Sequence, residues 1–480
     1  LLETMEEYLK TEVRIRKLNL TSLDRVKLKE NAYLREWLID DEKMLDIKII
    51  RENPDVVRRD LEKRKAYDKI EILDELIEVD KLWRKQQTEL NELRHRKNVI
   101  AREIARMKKE GKDISEKVKE MRELPEKIKK LEEELKKNKE GARYLLLNLP
   151  NLMHESVPVG EGPEDNVVIK TWGTIPEFDF PPRSHVDLIE ELDIVDIKRA
   201  AKVSGSRFYY LKRDLVLLDM ALQRFALDYL ISQGFIPVHP PYMISRRAME
   251  GAVNLSDFED VIYKIEKEDL YLIATSEHAL ASMHMDEILD GKDLPLRYAG
   301  VSACFRKEAG AHGKDTRGIF RVHQFNKIEQ FVFCKPEDSW DEHEKLIENA
   351  EYLFQKLGIP YRVVNICTGD LGGTAAKKYD IEAWMPVQNT YREVVSCSNC
   401  TDYQARKLNI RYRDRAHEET KFVHTLNSTA IATGRTIVAI IENFQQRDGR
   451  IKIPDVLIPY MNGKRYIAVS YTHLTLPTKA

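Results

Sequence analysis

Three separated segments of the sequence combine arginines with acidic residues, the side chains that hold phosphate groups and divalent cations. The first begins at Phe305 with Phe-Arg-Lys-Glu and continues into a loop spaced by glycines. The second, Thr390–Ser396, predicts a strand that carries Glu393, and the third places Gly434 and Arg435 at the start of an apolar helix. A guanidinium can hold a phosphate through two parallel hydrogen bonds, so these segments indicate a phosphate-binding site.

The first segment predicts two antiparallel strands joined by a long loop. Such a pair would place Arg306, Glu308 and Arg321 near one face. A hairpin with surface salt bridges explains the same pattern, and the sequence leaves that alternative open. Because neither GxxxxGK[ST] nor GxGxxG occurs in the chain, a bound nucleotide would be held by side chains such as these arginines.

The elements that must position these residues extend from Asp187 to Val469, where helix and strand patterns alternate as in a mixed α+β domain. An apolar stripe predicts a helix over Asp214–Gln233 that ends at Gly234. A second amphipathic helix is predicted over Glu337–Leu357, and a buried strand over Ile359–Ile366.

A highly charged region with regularly spaced aliphatic residues, 68–149, precedes this domain. Apolar positions recur there at alternating steps of three and four over 76–107 and again over 118–149, with polar interruptions at Gln86 and Lys97. This is a heptad pattern, and the short break at a glycine between the two stretches requires two antiparallel helices. The region therefore predicts a projecting helical arm.

The first arm helix is strongly basic towards its end. Arg94–Lys112 contains eight Lys or Arg and two acidic residues, whereas the whole chain has a net charge of −2. A basic stripe on a rod suits a phosphate backbone, although a solvated or dimerising coiled coil remains the alternative. The candidate nucleic-acid contacts are Arg94, Arg96, Arg102, Arg106, Lys108 and Lys109.

Taken together, these segments resemble the class II aminoacyl-tRNA synthetases, and within that class the seryl-tRNA synthetases. Gly234–Pro241 is similar to motif 1 of the class, Phe305–Phe325 to motif 2, and Ala432–Phe444 to motif 3. Each motif alone is degenerate, but their order and spacing make the resemblance specific. It extends over about 44–469.

Further features resemble the seryl enzymes in particular. Thr275-Ser-Glu is similar to their serine-binding segment, Glu329 to the carboxylate that reaches the substrate hydroxyl, and Ser396–Arg406 to a stretch typical of these enzymes. The antiparallel arm matches the one with which the family holds the long variable arm of its tRNAs.

The resemblance implies a role for individual residues. Arg306, Glu308 and Arg435 would be catalytic, and Glu393 and Ser396 would ligate Mg²⁺ as the cofactor. The implied ATP site consists of Arg306, Lys307, Glu308, Val322, Glu393, Val394, Val395, Ser396 and Arg435. The implied serine site consists of Thr275, Ser276, Glu277, Arg306, Glu329 and Ser428.

The implied fold is α+β, with an antiparallel-sheet class II catalytic domain preceded by a long antiparallel coiled-coil arm. We read the two ends of the chain as unmatched and outside the fold. The expected divisions are an extension (1–43), a tRNA-binding domain (44–150) whose arm spans about 68–149, a linker (151–185), the catalytic domain (186–469) and a tail (470–480).

The resemblance also implies partners: L-serine, ATP, tRNA(Ser), tRNA(Sec) in hosts that use selenocysteine, and a second copy of the chain at motif 1. Composition agrees with this on two points. The chain lacks an apolar run of 18 residues, so we expect no membrane span. Its five cysteines are sparse and odd in number, which favours the reducing cytoplasm.

Other functions were weighed against this one. An inactive tRNA-binding paralogue is disfavoured by the retained Arg306, Glu393 and Arg435. A threonyl-type enzyme is disfavoured because zinc ligands and an editing domain are not recognisable. Cys397-x-x-Cys400 is half of a zinc pattern without a partner pair, and we expect ordinary thiols there. We also expect structural roles for the histidines His278, His284 and His312, and either packing or paired-carboxylate chemistry for Asp380 and Glu382.

Overall fold

The structure, a computed structural model, describes residues 47–254, 261–308, 315 and 317–468 of the 480-residue chain. The chain divides into two compact units between Leu149 and Pro150. The expected extension (1–43) and tail (470–480) lie outside the described residues, as does His312. Among the described residues, no helix is both long and apolar enough to cross a membrane.

The first unit is helical, and two long helices make up most of it. Its helices are α1 (Ile47–Glu52), α2 (Pro54–Lys63), α3 (Tyr67–Lys109) and α4 (Ser115–Leu147). Helix α3 has 43 residues, about 65 Å at 1.5 Å per residue. The contacts between α3 and α4 run antiparallel, since Gln86 meets Asn138 whereas Glu103 meets Lys117. The predicted arm is confirmed.

The seam of the arm is apolar with one buried polar pair. Leu90 on α3 and Leu131 and Leu135 on α4 are buried in it. At the predicted polar interruption, Asn138 Nδ2 donates a hydrogen bond to Gln86 Oε1 over 2.6 Å. Because only this register pairs the two amides, they align the helices.

The second unit is built on a mixed sheet. Its strands are β1 (Val167–Trp172), β2 (Val195–Asp196), β3 (Tyr210–Leu211), β4 (Ile236–Val238), β5 (Met243–Ser245), β6 (Leu270–Leu272), β7 (Ile288–Asp290), β8 (Leu296–Phe305), β9 (Gln324–Cys334), β10 (Tyr361–Asn365), β11 (Lys377–Met385), β12 (Thr390–Asn399), β13 (Arg411–Arg413), β14 (Lys421–Phe422), β15 (His424–Ala432), β16 (Ile451–Lys452) and β17 (Tyr466–Ile467). Eight of them form the main sheet in the order β1-β10-β11-β12-β15-β9-β8-β4. Only the β4–β8 pair in that sheet is parallel.

The helices of this unit cover the sheet. They are α5 (His185–Glu191), α6 (Ile197–Ser204), α7 (Asp214–Ser232), α8 (Arg246–Ala252), α9 (Ser276–Ala281), α10 (Ser339–Leu357), α11 (Tyr403–Leu408) and α12 (Thr433–Asn443). Helices α7, α10 and α12 pack with Ile328 and Val332 of β9 into the main core. The opposite face of β9, with Phe331 and Phe333, packs against α9 and α11. The polar residues of β9 on this second face, which we call the site face, are available for chemistry.

The segment expected to be a linker, 151–185, is part of the second unit. Asn151 donates its backbone N–H to the carbonyl of Gly373, and its side-chain amide bonds the carbonyl of Cys400. Strand β1 lies in the same segment and pairs with β10 at the edge of the main sheet. The frequent Pro and Gly of this segment indicated a linker and not a strand. The strand forms through pairing with β10, which is distant in sequence.

Most predicted elements of the second unit lie close to their predicted bounds. Helix α7 ends before Gly234, which has φ +83°, and α10 ends before Gly358, which has φ +71°. Both glycines take the left-handed conformation that closes a helix with little strain. The second of the two strands predicted in the Phe305 segment is β9, which begins at Gln324 and not at Phe320, where apolar residues resume after the loop.

Candidate active site

An open cleft lies on the site face of the main sheet, with about 500 Å³ of space that includes its solvent-filled mouth. Strands β9, β12 and β15, the loop between β8 and β9, and the first turn of α12 contribute to it. The lining residues are Arg306, Glu308, Ile319, Phe320, Val322, Phe325, Lys327, Glu393, Val394, Thr429, Ala432, Gly434 and Arg435.

Arg306 and Glu308 follow directly after β8, as the motif pattern requires. The Nε of Arg306 donates to the carbonyl of Ala274 over 3.3 Å, and its guanidinium lies 5.3 Å from the ring centre of Phe325. Glu308 accepts a hydrogen bond from Arg321 over 2.9 Å. Of the predicted grouping, Arg306 and Glu308 line the cleft, and Arg321 is joined to it through Glu308.

Arg435 lies in the first turn of α12, where a cation opposes the helix dipole. It donates a 2.8 Å hydrogen bond to the carbonyl of Glu393 and lies 3.3 Å from the Glu393 carboxylate. Desolvation works against ionisation of Glu393, but Arg435, followed by Lys378 and Arg306, outweighs it and lowers the pKa of that carboxyl. A cation in this position is suited to an anionic ligand in the cleft.

A bulge in β12 places Glu393 on the site face. Ile381 pairs with Val395, but the next residue on β11 pairs with Glu393, so Val394 is an extra residue in the ladder. The bulge reverses the alternation of side chains, and Glu393 and Ser396 come to share one face. Simple alternation would have put them on opposite faces. The predicted ligand pair is thus brought together by a feature that the sequence does not reveal.

The environment of this pair is rich in oxygen atoms. Asp380 of β11 lies directly opposite Ser396, is buried, and its Oδ1 accepts no hydrogen bond from any described residue. Carboxylate and hydroxyl oxygens on one face are the donors that Mg²⁺ takes, so the residues present fit this ion. Glu382, which the sequence offered as a carboxylate partner of Asp380, instead accepts a hydrogen bond from Arg362.

On the other side of Arg306, three predicted serine-site residues begin helix α9. Thr275 caps the helix by accepting the backbone N–H of Glu277 over 3.2 Å. The carboxylate of Glu277 accepts a 2.9 Å hydrogen bond from Gln404. Burial, followed by the nearby charge of Glu329, raises the pKa of Glu277 to about 7. The hydroxyl of Ser276 is buried and has no hydrogen-bond partner among the described residues.

A buried ion pair joins Lys327 and Glu329, two residues apart on β9. Their Nζ and Oε2 atoms are 2.5 Å apart, and the residues are 4% and 2% exposed. Burial raises the pKa of Glu329, while Lys327 opposes that rise. Sequence reasoning missed Lys327, although its spacing of two from Glu329 on a strand was a readable signal.

Ser428, a predicted serine-site residue, does not reach the cleft. It lies opposite Gln330 and Cys397, on the core face of the sheet. The next residue, Thr429, pairs with Glu329 and lines the cleft. Successive strand residues point to opposite faces, so the hydroxyl that faces the cleft is that of Thr429.

The remaining predicted ATP-site residues divide in the same way. Val322 and Val394 line the cleft. Val395 is buried in the main core, on the face turned away from the cleft. Lys307 does not line the cleft, and its backbone N–H donates to the carbonyl of Val261.

The cysteines and the described histidines form no cluster of metal-ligating side chains. All five cysteines are buried free thiols, including Cys397 and Cys400. Within the described parts of the chain, no cluster of three His, Cys, Asp or Glu side chains could hold a metal. Burial lowers the pKa of His278 to about 3, so this residue is neutral.

In the first unit, five of the six candidate basic residues of α3 fall into two groups, and the sixth, Lys108, is exposed. Arg94 and Arg96 bond Glu132 and Glu120 of α4. Arg102, Arg106 and Lys109 recur at steps of four and three and are exposed. We call these three residues the outer row; each is two residues beyond a seam residue (Ile100, Ile104 and Met107), which is about 200° around the helix. The row therefore faces away from α4.

Helix α7 of the second unit presents apolar side chains to solvent. Val216, Met220 and Ile231 on it are 38%, 61% and 46% exposed, and Ile236 on the edge strand β4 is 51% exposed. Steps of four and eleven keep these three helical residues within about 60° of one another on one face. An apolar patch on a helix and an adjoining sheet edge is typical of a protein–protein interface.

Comparison with known proteins agrees with this geometry. A family model described as tRNA synthetase class II core domain (G, H, P, S and T) matches 261–444, and one described as Seryl-tRNA synthetase N-terminal domain matches 44–153. A serine–tRNA ligase of Thermococcus onnurineus is 57% identical over 444 residues, which cover 88% of this chain and 97% of the relative.

Solved structures give the same result. The crystal structure of seryl-tRNA synthetase from Pyrococcus horikoshii complexed with ATP has a TM-score of 0.87 and 56% identity, covering 89% of this chain and 100% of that one. A cytoplasmic serine–tRNA ligase from Naegleria fowleri in complex with AMP has a TM-score of 0.81 and 38% identity, covering 89% and 99%. The chain therefore belongs to the seryl-tRNA synthetases, the serine–tRNA ligases among the class II aminoacyl-tRNA synthetases.

Proposed function

We propose that the chain activates L-serine with ATP to seryl-adenylate, releases pyrophosphate, and transfers serine to the 3′ end of tRNA(Ser). The observation that carries this proposal is the position of Arg306 between two groups of residues. The charge of Arg306 lowers the pKa of Glu277 and Glu329 on one side and of Glu393 on the other. In each case its effect is smaller than that of burial and of nearer charges. An amino acid and a nucleotide could meet at this guanidinium.

Adenylate formation is an in-line displacement at phosphorus. A serine carboxylate oxygen attacks the α-phosphorus, the bond to the bridging β-oxygen breaks, and pyrophosphate leaves. The protein mainly aligns the reactants and neutralises charge. Arg306 would bridge the serine carboxylate and the α-phosphate, and Arg435 would hold the γ-phosphate.

The base of the nucleotide would lie near Phe325, the ring against which Arg306 packs. Val322 lines the same part of the cleft, and Glu308 would frame the adenine side. The ATP in the Pyrococcus relative supports a nucleotide in this cleft. Lys307 remains a proposed ATP contact from the motif pattern alone, and Val395 would act only through the fold of β12.

Mg²⁺ would be held by Glu393 and Ser396, whose oxygens share one face because of the bulge. When bound, the ion would neutralise part of the phosphate charge. Arg435 keeps Glu393 ionised at neutral pH, and Asp380 lies opposite the Ser396 hydroxyl, where it can orient it. These are the tasks that this chain's own residues perform at the site.

Serine would enter the pocket formed by Thr275, Ser276, Glu277, Glu329 and Thr429. Glu329 would accept the substrate hydroxyl, and Glu277 would hold the ammonium. An alanine substrate would leave the buried Glu329 carboxylate without the hydroxyl donor that serine supplies, which discriminates strongly against alanine. Selectivity for serine therefore depends on buried acceptors rather than on pocket size alone.

The second step requires tRNA, which we propose is held by the outer row of the arm. Its three cations face away from α4 and can meet a phosphate backbone without reading sequence. We propose tRNA(Sec) as a second tRNA substrate in hosts that contain it. The chain would work in the cytoplasm, where its five buried thiols remain reduced.

We also propose a homodimer through α7 and β4. Apolar side chains of Val216, Met220, Ile231 and Ile236 would be removed from water by a second copy of the same surface. A two-fold interface of this kind is self-complementary, as the commonest soluble oligomers are.

The deciding experiment is ATP–pyrophosphate exchange with a panel of amino acids. We expect exchange with serine and none above background with alanine or threonine. Exchange with another amino acid, or none with serine, would refute the proposal. Charging of tRNA(Ser) and tRNA(Sec) is measured with the same preparation.

Two neighbouring substitutions sharpen the test of the pocket. Thr429→Val should raise the KM for serine by about tenfold or more, since one hydroxyl contact is lost. Ser428→Ala, the matched control on the opposite face, should leave that KM within about twofold. A larger rise in the KM for serine with Ser428→Ala than with Thr429→Val would mean that Ser428, and not Thr429, contacts serine.

A further inference from the structure

Lys327 is a buried cation that the proposed mechanism has not used. It lies in the middle of β9, paired with Ser302 on β8 and Ala432 on β15, and its side chain lines the cleft. A buried ammonium is costly, so it needs a compensating partner. That partner is Glu329, 2.5 Å away.

The contact supplies charge and leaves acceptor capacity in place. Lys327 and Thr429 both donate to the Glu329 carboxylate. A carboxylate has about four lone-pair sites, so it can accept a further donor. The Ser276 hydroxyl is buried and has no hydrogen-bond partner among the described residues. The pocket thus contains an acceptor with a spare lone pair and an unpartnered hydroxyl, which points to a polar ligand.

The charge balance gives Lys327 a specific task. Two carboxylates, Glu277 and Glu329, and two cations, Arg306 and Lys327, surround this pocket, and they cancel. Serine carries one charge of each sign. Without Lys327, Glu329 would either take up a proton, because burial disfavours its charge, or attract the ammonium of serine instead of its hydroxyl.

We propose that Lys327 is a positioning residue for serine: its ammonium keeps Glu329 ionised and fixed, so that a free lone pair of Glu329 accepts the substrate hydroxyl. Lys327 acts through Glu329 and does not touch ATP. The inference rests on the proposed function, and it assigns the amino-acid selectivity of the site to a pair rather than to one carboxylate.

The test is a double-mutant cycle read by serine-dependent exchange. Lys327→Met keeps the length of the side chain and removes its charge. We expect the KM for serine to rise by about 30-fold or more, with the KM for ATP within about twofold. In a Glu329→Gln background, the same substitution should add little, because the pair acts as a unit. Lys327→Arg should recover part of the serine affinity.

A matched control is Lys335, which follows β9 and does not line the cleft. Its Nζ lies 2.6 Å from Oδ1 of Asp414. Lys335→Met should leave both KM values unchanged. Additive effects of Lys327→Met and Glu329→Gln, or a rise in the KM for ATP, would overturn the inference. If Lys327→Met does not fold, judged by thermal melting, Lys327→Arg and Lys327→Gln carry the same cycle. Failure of the wild type to exchange serine would instead count against the proposed function.

Discussion

At the scale of single residues, the cleft is organised by burial acting on charge. Glu277 and Glu329 have raised pKa values because they are desolvated, whereas Glu393 has a lowered one because Arg435, Lys378 and Arg306 together outweigh that effect. On the amino-acid side of the site, burial therefore works against the charge of both carboxylates. The nucleotide side holds its carboxylate firmly charged, as a cation site requires.

Serine binding should consequently depend on pH through Glu277. With a pKa of about 7, this carboxyl becomes protonated as the pH falls below 7 and loses the charge that would hold an ammonium. We expect the KM for serine to rise about tenfold per unit below pH 7 and to level off above it. His278, next in the sequence, has a pKa lowered to about 3 and does not titrate there.

The measurement is the exchange rate at several serine concentrations from pH 5.5 to 8.5. The KM for ATP serves as the control and should vary much less over that range. A flat profile for serine would mean that Glu277 does not contact the substrate ammonium. Glu277→Gln should abolish the pH dependence while it weakens serine binding at high pH.

At the scale of elements, most of the fold could be predicted and its irregularities could not. Heptad spacing predicted α3 and α4, and glycines marked the ends of α7 and α10, because these are local effects. The bulge at Val394, and the choice of which of Ser428 and Thr429 points to the site face, depend on pairing between distant strands. Those two details decide which predicted residues reach the cleft.

The outer row of α3 should be needed for charging and not for exchange. Replacing Arg102, Arg106 and Lys109 together by alanine removes three cations that face away from the seam. We expect the KM for tRNA(Ser) to rise by about tenfold or more, and the slope of log affinity against log salt to fall by about two to three. Serine-dependent exchange should be unaffected.

The control for this variant lies on the other helix of the same arm. Lys127, Lys129 and Lys130 of α4 are exposed but stand among acidic residues. Their joint replacement by alanine should change charging by no more than about twofold. Equal losses from both triple variants would mean that the arm acts through net charge and not through one face.

At the scale of the whole molecule, the chain joins units of different character. The first unit has more basic than acidic residues and the second has more acidic than basic ones, and together they sum to a net charge of −2. The nucleic-acid partner is therefore invisible in the composition and visible only in the distribution of charge. The apolar face of α7 adds a second surface that composition also conceals.

A single charged residue on α7 should disrupt the proposed dimer. Met220→Glu places a carboxylate at a side chain that is 61% exposed in the single chain and buried in a two-fold interface. We expect analytical ultracentrifugation to show the wild type as a dimer and the variant largely as a monomer at micromolar concentration. Val159→Glu, at a 72% exposed side chain outside α7 and β4, should remain a dimer.

The buried pair Gln86–Asn138 determines where the outer row lies along the arm. Sliding α4 by one heptad against α3 would move the outer row by about 10 Å along the axis and still bury leucines on leucines. Within the seam the amide pair would be lost, since each amide would then face an aliphatic neighbour; at the surface, the Arg94–Glu132 and Arg96–Glu120 pairs would also separate. The amide pair thus selects one register of the two helices. Replacing both amides by leucine would allow a second register, in which the outer row lies at a different position relative to α4.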